Sequence, residues 1–167
     1  SQGEKLLIVD GYDRLNRGLS FQARHRLSGY SRPVKVHRLF LDRMNNFDYM
    51  AEHAEAAERC DIPFDGASNA AIVDGITTLS NYTYVNWIVG RESTADQTLS
   101  LREQARLSRY LDQGGNLIIS GSELGYDLDR KGNGRDFYRD YLKAEFQADD
   151  AKHLSFQSPK GKSHTFQ

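Results

Sequence analysis

Ser100-Leu-Arg-Glu-Gln-Ala-Arg-Leu-Ser-Arg-Tyr-Leu-Asp-Gln-Gly-Gly-Asn-Leu-Ile-Ile-Ser-Gly-Ser-Glu-Leu-Gly125 holds, in order, a capped helix, a glycine stop, a short apolar strand and a turn of small polar residues. Ser100 with Glu103 three residues on is a capping box, in which each side chain accepts a hydrogen bond from the other residue's backbone N–H. Leu101, Ala105, Ser108 and Leu111 make an apolar-to-small stripe at helical spacing, and Gly114 is the residue type that ends helices. Asn116–Ser120 follows at once as a strand with apolar side chains on both faces. Such a strand belongs to a parallel sheet covered by helices on both sides, where ligands gather at the carboxyl ends of the strands. The turn Ser120-Gly121-Ser122-Glu123 therefore marks one wall of an expected site.

The same alternation recurs on either side of this unit. Lys5–Val9 is an apolar run ending in Asp10-Gly-Tyr-Asp-Arg14, the pattern of a first central strand and its exit loop. Asn46 caps a helix running to Cys60, with Phe47, Met50, Ala51, Ala54 and Ala57 on one face and Glu52, Glu55 and Glu58 toward water. Ile62–Ala67 is an edge strand, where Pro63 is tolerated because an edge amide need not donate to the ladder. Ser68 or Asn69 caps a short helix through Val73, and Tyr82–Val89 is the strongest strand, stopped by Gly90-Arg-Glu-Ser-Thr94. Asp136–Leu142 gives a short helix and Lys143–Ala148 a last strand at the other edge. Val34–Leu41 reads as a strand inside an inserted excursion over the sheet edge, a kind of segment that serves as a lid or binding loop. The predicted fold is α/β: a three-layer, flavodoxin-like sheet of five parallel strands in the order 2-1-3-4-5 over residues 1–150, then a polar tail or the start of a further module over 151–167.

Composition narrows the classes. A chain of 167 residues with 38% hydrophobic and 27% charged residues and a net charge of -1 is that of one soluble globular domain, and no apolar run is long enough to span a bilayer. The start at Ser-Gln-Gly, without methionine, is read as a processed or excised piece. One cysteine, Cys60, permits no internal disulfide, and the five histidines show no zinc spacing. Gly11 lacks the further glycines of a dinucleotide fingerprint, so no nicotinamide or flavin cofactor is expected. Asp127-Leu-Asp-Arg-Lys-Gly132 begins like a calcium loop, but Lys131 stands where an oxygen ligand is needed and Tyr138 holds the twelfth position, so no metal is expected either. Between Arg14 and Arg43 eight basic residues face Asp42 alone. That stretch suits an acidic glycan or a phosphate backbone; the plainer reading is a solvated loop whose arginines pair with neighbouring acidic helices. No aromatic residues interleave with these charges as in a nucleic-acid module, so no nucleic-acid partner is expected.

In the order 2-1-3-4-5 the exit loops of strands one, three and four are neighbours. The candidate ligand-binding residues are then Asp10, Asp13, Arg14, Ser93 and Ser120, and the candidate catalytic residues Ser122, Glu123 and Glu92. Ser122 as nucleophile, with turn amides as oxyanion donors and Glu92 or Glu123 orienting a base, would make a serine hydrolase. Against it, Ser122 directly follows Gly121, where a nucleophile elbow has one intervening residue, and no histidine has an evident route to it. Glu92 with Glu123 or Asp10 would instead divide acid and base roles in glycoside cleavage. The structural alternatives are a tight turn at the serines and a loop cap at Glu92. Asp10 and Asp13 beside Arg14 suit sugar hydroxyls, or simply tie down the first loop.

Four of these stretches, Asp10-Gly-Tyr-Asp-Arg14, Phe64-Asp-Gly-Ala-Ser-Asn69, Trp87-Ile-Val-Gly-Arg-Glu-Ser-Thr-Ala-Asp96 and Gly114-Gly-Asn-Leu-Ile-Ile-Ser-Gly-Ser-Glu-Leu-Gly-Tyr-Asp-Leu-Asp129, resemble the class I glutamine amidotransferase-like domain of large secreted bacterial proteins. Those proteins are often labelled xanthan lyase or N-acetylmuramoyl-L-alanine amidase and frequently carry a golvesin-type module. The resemblance covers about residues 5–150 and implies fold and setting rather than a reaction. It implies a secreted or periplasmic protein of several domains, without a cofactor, whose partner is a polysaccharide or peptidoglycan-type polymer. Working amidotransferases of this fold carry a cysteine on the turn after the strand matching Asn116–Ser120, activated by a downstream histidine-glutamate pair. Here that turn holds Ser120, Gly121 and Ser122, Cys60 lies elsewhere, His153 precedes Leu154, and His164 precedes Thr165. The function expected is a non-amidotransferase accessory or ligand-binding domain. The alternatives are a hydrolase of ester, amide or glycoside bonds, and a spacer or oligomerisation module with its crevice filled by its own side chains.

Overall fold

Leu7 and Val9 point to one face of strand β1 (Leu6–Asp10) and Ile8 to the other, and all three are fully buried, which only a strand inside a two-sided sheet achieves. The structure, a computed structural model, describes residues 5–14, 20–39, 48–92, 94 and 97–148, with the backbone alone of 155–157 and 163–165. After β1 come a hairpin of β2 (Ser20–His25) and β3 (Val34–Leu39), helix α1 (Asp48–Arg59), strand β4 (Phe64–Ser68), helix α2 (Asn69–Val73), strand β5 (Tyr84–Gly90), helix α3 (Leu101–Asp112) and strand β6 (Asn116–Gly121). Two π-helical turns, Tyr126–Arg130 and Phe137–Tyr141, and a small antiparallel pair, β7 (Ser155–Gln157) and β8 (Ser163–Thr165), complete the chain.

Four strands form the main sheet in the order β4-β1-β5-β6, all parallel. Asp10 lies level with Ser68 on one side and Ile88 on the other, so the exit loops of β1, β4 and β5 open at the same edge. One face packs Leu7, Val9, Val85, Trp87 and Val89 under α2, α3 and the π-helical turns. The other packs Ile8 and Ile88 against Ala57, Met50 and Ala54 of α1. Glu52, Glu55 and Glu58 of α1 are exposed as expected, and so is Ala51, which the sequence pattern places inward. Tyr49 replaces it on the packed face.

The expected fifth parallel strand is not formed, and the reason is local. Lys143 takes a left-handed backbone (φ 54°), Ala144 N–H donates to the Tyr138 carbonyl, and Phe146 N–H donates to Asp129 Oδ2 at 2.9 Å. The amides that a ladder would use are thus turned to the preceding helical turns. Among the described residues no strand lies beyond it, so β6 is an edge rather than a doubly covered strand, and Ile118 is 62% exposed. Val34–Leu39 is a strand within the excursion, as expected, and pairs antiparallel with Ser20–His25 in a hairpin separate from the main sheet, with Arg24 opposite Lys35. Arg24, Arg26, Arg32, Lys35 and Arg38 make no ion pair among the described residues, so the expected pairing with acidic helices is corrected there.

Helix α3 keeps its predicted ends but not its predicted face. Ser100 Oγ accepts from Glu103 N–H at 3.3 Å and Glu103 Oε2 from Ser100 N–H at 2.6 Å, completing the capping box. The buried face is Glu103, Gln104, Leu107 and Tyr110, whereas Leu101 is 71% exposed and Ala105 is exposed. Polar side chains go inward here because the backbone satisfies them. Gln104 Nε2 donates to the carbonyls of Leu99 and Asn133, and Tyr110 Oη lies 2.9 Å from the Thr83 carbonyl while accepting from Asn116 N–H at 3.1 Å.

Candidate functional site

The first exit loop is shaped by a glycine and a tryptophan. Gly11 N–H extends the ladder to the Ile88 carbonyl, and a β-carbon on Gly11 would stand 2.3 Å from Trp87 Nε1, so only glycine lets the loop cross β5 this closely. Beyond it, Asp13 N–H donates to Glu92 Oε2 at 3.2 Å, Arg14 Nη1 donates to the Arg91 carbonyl, and Asp10 Oδ1 accepts from Tyr12 N–H. Glu92 is 1% exposed. It therefore caps the neighbouring loop, after β1. Tyr12 is buried edge-on against Tyr49 and packs over Gly90, and that burial raises its phenol pKa above the ordinary value.

A crevice of about 250 Å³ opens where these loops meet α2 and α3. Its polar walls are Asp13 from the β1 loop, Asn69 in the first turn of α2 and Asp74 just past its end, and Thr98, Ser100 and Glu103 at the entry to α3. Asn69 is the junction: its Nδ2 donates to Asp13 Oδ2 at 3.1 Å and to Glu103 Oε1 at 2.9 Å. Ser68 Oγ, one of the two caps the sequence offers, closes the start of α2 by accepting from Ala71 N–H. The position is the switch point of the sheet, since the chain leaves β1 toward β4 on one side and returns to β5 on the other.

Of the sequence candidates among the described residues, Asp13 alone lines this crevice. Asp10, Arg14 and Glu92 stand behind it and set the loop that carries Asp13. Ser93 lies outside the described residues. Ser120, Ser122 and Glu123 belong to the exit of β6 and do not line the crevice. Ser122 donates from both N–H (2.8 Å) and Oγ (3.3 Å) to the Gly90 carbonyl, and among the described residues no histidine is bonded to it. The residue held in the left-handed region between β6 and the following helical turn is Glu123 (φ 63°), at the centre of Gly121-Ser-Glu-Leu-Gly125. The elbow spacing is thus present, with glutamate rather than serine at its strained position.

Asn69, Asp74, Thr98, Ser100 and Glu103 are site residues that sequence reasoning misses. The usable signal is that Ser68/Asn69 and Ser100/Glu103 cap helices that follow sheet strands, which puts their polar groups at the carboxyl edge. The carboxylates of the calcium-like stretch serve structure instead. Asp127, fully buried, accepts from Thr98 N–H and Oγ1 and from Asn133 Nδ2. Asp129 accepts from Phe146 N–H, Arg139 and Arg135, and these bonds, the Phe146 amide foremost, hold its pKa below the usual carboxylate value. Among the described residues no group of three or more His, Cys, Asp or Glu side chains is arranged to hold a metal ion, and no helix is long and apolar enough to cross a membrane. Cys60 is exposed beyond the end of α1.

Fold and crevice together define an α/β domain with a polar hollow at the carboxyl edge of an open parallel sheet. No family model, curated protein or solved structure matches the chain, so geometry carries the functional reading.

Proposed function

We propose that this chain is a ligand-binding α/β domain without amidotransferase activity, which holds a hydroxyl-rich unit of a cell-surface or extracellular polymer in the crevice between β1, α2 and α3. The observation that carries this reading is the Asp13–Asn69–Glu103 array bordering an open cavity of about 250 Å³ at the sheet's switch point. Carboxylate and amide oxygens accept from sugar hydroxyls, while Ser100 and Thr98 can donate as well as accept. Tyr12 and Tyr126 do not line the crevice, which weighs against a spacer whose hollow is filled from within. The neighbours β4-β1-β5-β6 support kinship with flavodoxin-like, class I glutamine amidotransferase-like sheets shortened by one edge strand. The sequence resemblance supports a place in a larger exported protein.

Titration of the labelled protein with neutral oligosaccharides, followed by NMR, tests the reading. Shifts centred on the amides of Gly11, Asp13, Ala70 and Ser100 are expected, with no turnover of ester, amide or glycoside substrates. Turnover that Ser122→Ala or Glu92→Gln abolishes would overturn it.

One observation favours a second reading, hydrolysis. Glu123 is exposed and held in a left-handed backbone on a strand-turn-helix elbow, the place where hydrolases of this layered type present a nucleophile. Loss of turnover in Glu123→Gln with retained fold would establish it.

A further inference from the structure

The crevice does not end at the entries to α2 and α3. Val73 borders both it and a hollow of about 420 Å³ walled by Arg102, Ala105, Arg106 and Arg109. Arg106 and Arg109 in turn border a third hollow of about 230 Å³, with Thr77, Thr78, Ser80 and Gln113 along its rim. The three spaces follow the seam between α2 and α3 away from the carboxyl edge of the sheet.

Arg102, Arg106 and Arg109 stand at i, i+4 and i+7 of α3, hence on one face, with Cα positions about 6 and then about 4.5 Å apart along the axis. Neither of the two lower hollows is bordered by an aspartate or glutamate. Arg102 and Arg109 make no ion pair among the described residues. Arg106 Nη2 donates to the Val73 carbonyl at 3.1 Å, which holds its guanidinium across the seam and leaves its other donors to the groove. Three guanidinium forks in line, in a chain whose net charge is -1, concentrate positive potential where oxyanions can be bound in bidentate fashion. The aromatic residue on the rim, Tyr110, is only 3% exposed, so the groove offers no stacking platform for nucleobases.

We propose that the α2–α3 seam is the track of an acidic polysaccharide, with uronate carboxylates or sulfate esters held by Arg102, Arg106 and Arg109 and the adjoining sugar unit reaching the crevice. This rests on the reading of the ligand as a glycan. The hydroxyls of Thr77, Thr78 and Ser80 then face sugar hydroxyls on the wall opposite the arginines.

Isothermal titration calorimetry against polygalacturonate, its fully methyl-esterified form, dextran sulfate and oligothymidine tests the proposal, on wild type and on the double variant Arg102→Ala/Arg109→Ala. Neither arginine is buried or ion-paired among the described residues, and circular dichroism checks that the variant folds. Wild type is expected to bind an acidic polymer, the responding arm naming carboxylate or sulfate, and to lose affinity as salt rises from about 0.02 M to about 0.5 M. The double variant is expected to bind about 100-fold more weakly, roughly tenfold for each guanidinium removed. Arg102→Lys/Arg109→Lys, which keeps charge but not the fork, is expected to fall between. Unchanged affinity in the alanine variant, binding of neither acidic polymer, or oligothymidine bound as tightly as the glycans would each overturn the proposal. Failure of the crevice reading is seen separately, as methyl-ester binding that Asn69→Ala leaves unaltered.

Discussion

The amide of Asn69 bridges two carboxylates that would otherwise face each other across the crevice, donating to Glu103 Oε1 at 2.9 Å while its second N–H reaches Asp13 Oδ2 at 3.1 Å. Glu103 is at the same time half of a capping box, its other oxygen accepting from Ser100 N–H. The floor of the site and the start of α3 are therefore one hydrogen-bonded unit. Asn69→Ala is expected to cost roughly 1–2 kcal/mol in urea denaturation, the loss of two charge-assisted bonds in a partly wet site. Asn69→Asp places a third carboxylate between two, so its cost is expected to exceed that of alanine at pH 7 and to shrink as the pH is lowered toward about 4.

Tyr110 closes α3 onto the amino ends of β5 and β6. Its hydroxyl lies 2.9 Å from the Thr83 carbonyl and accepts from Asn116 N–H, while a β-carbon on Gly115 would meet its ring at 2.3 Å. Tyr110→Phe is expected to destabilise by about 1 kcal/mol, because the hydroxyl's bond to the Thr83 carbonyl is lost and Asn116 N–H keeps only its longer bond, 3.3 Å, to that same carbonyl. Gly115→Ala is expected to cost more, since the ring must leave a fully packed place. Both effects should show in the urea midpoint at unchanged slope.

What the sequence disclosed divides by the range of the interactions involved. The caps at Ser68 and Ser100 join residues three apart, and the apolar runs of β1 and β5 need only their own side chains, so each is legible locally. The failure of Lys143–Ala148 to join the sheet depends on Asp129 taking the Phe146 amide, a partnership across 17 residues that no local pattern announces. The inward turn of Glu103 and Gln104 in place of Leu101 likewise depends on acceptors and donors from Asn69 and Asn133. Helix caps are visible as caps, and their second use as crevice walls follows only when β4 and β5 are known to flank β1.

Acid stability should centre on Asp129. The Phe146 amide, with Arg139 and Arg135, lowers its native pKa, so the charged form is favoured by folding. The stability it contributes is complete above the ordinary carboxylate range, about pH 4, and is lost as pH falls through the lowered native value. Urea midpoints measured downward from about pH 5 should therefore fall, and Asp129→Asn should start lower at neutral pH and show a flatter acid limb. Parallel curves for variant and wild type would contradict this assignment.

Glu123 offers the sharpest division between the two functional readings, because strain and use make opposite demands on it. A glutamate at φ 63° carries a backbone cost of about 1 kcal/mol that glycine does not, although glycine returns part of the gain as entropy of the unfolded chain. Its side chain is exposed, so little packing is lost on replacement. Glu123→Gly is therefore expected to raise stability by up to about 1 kcal/mol, with Glu123→Ala near neutral. In a binding domain the glycine variant should hold oligosaccharide as the wild type does, since Glu123 does not line the crevice. If a substrate panel reveals turnover, the same variant should be more stable and inactive, and that pairing of a gain in urea midpoint with a loss of kcat would mark the strain as serving catalysis.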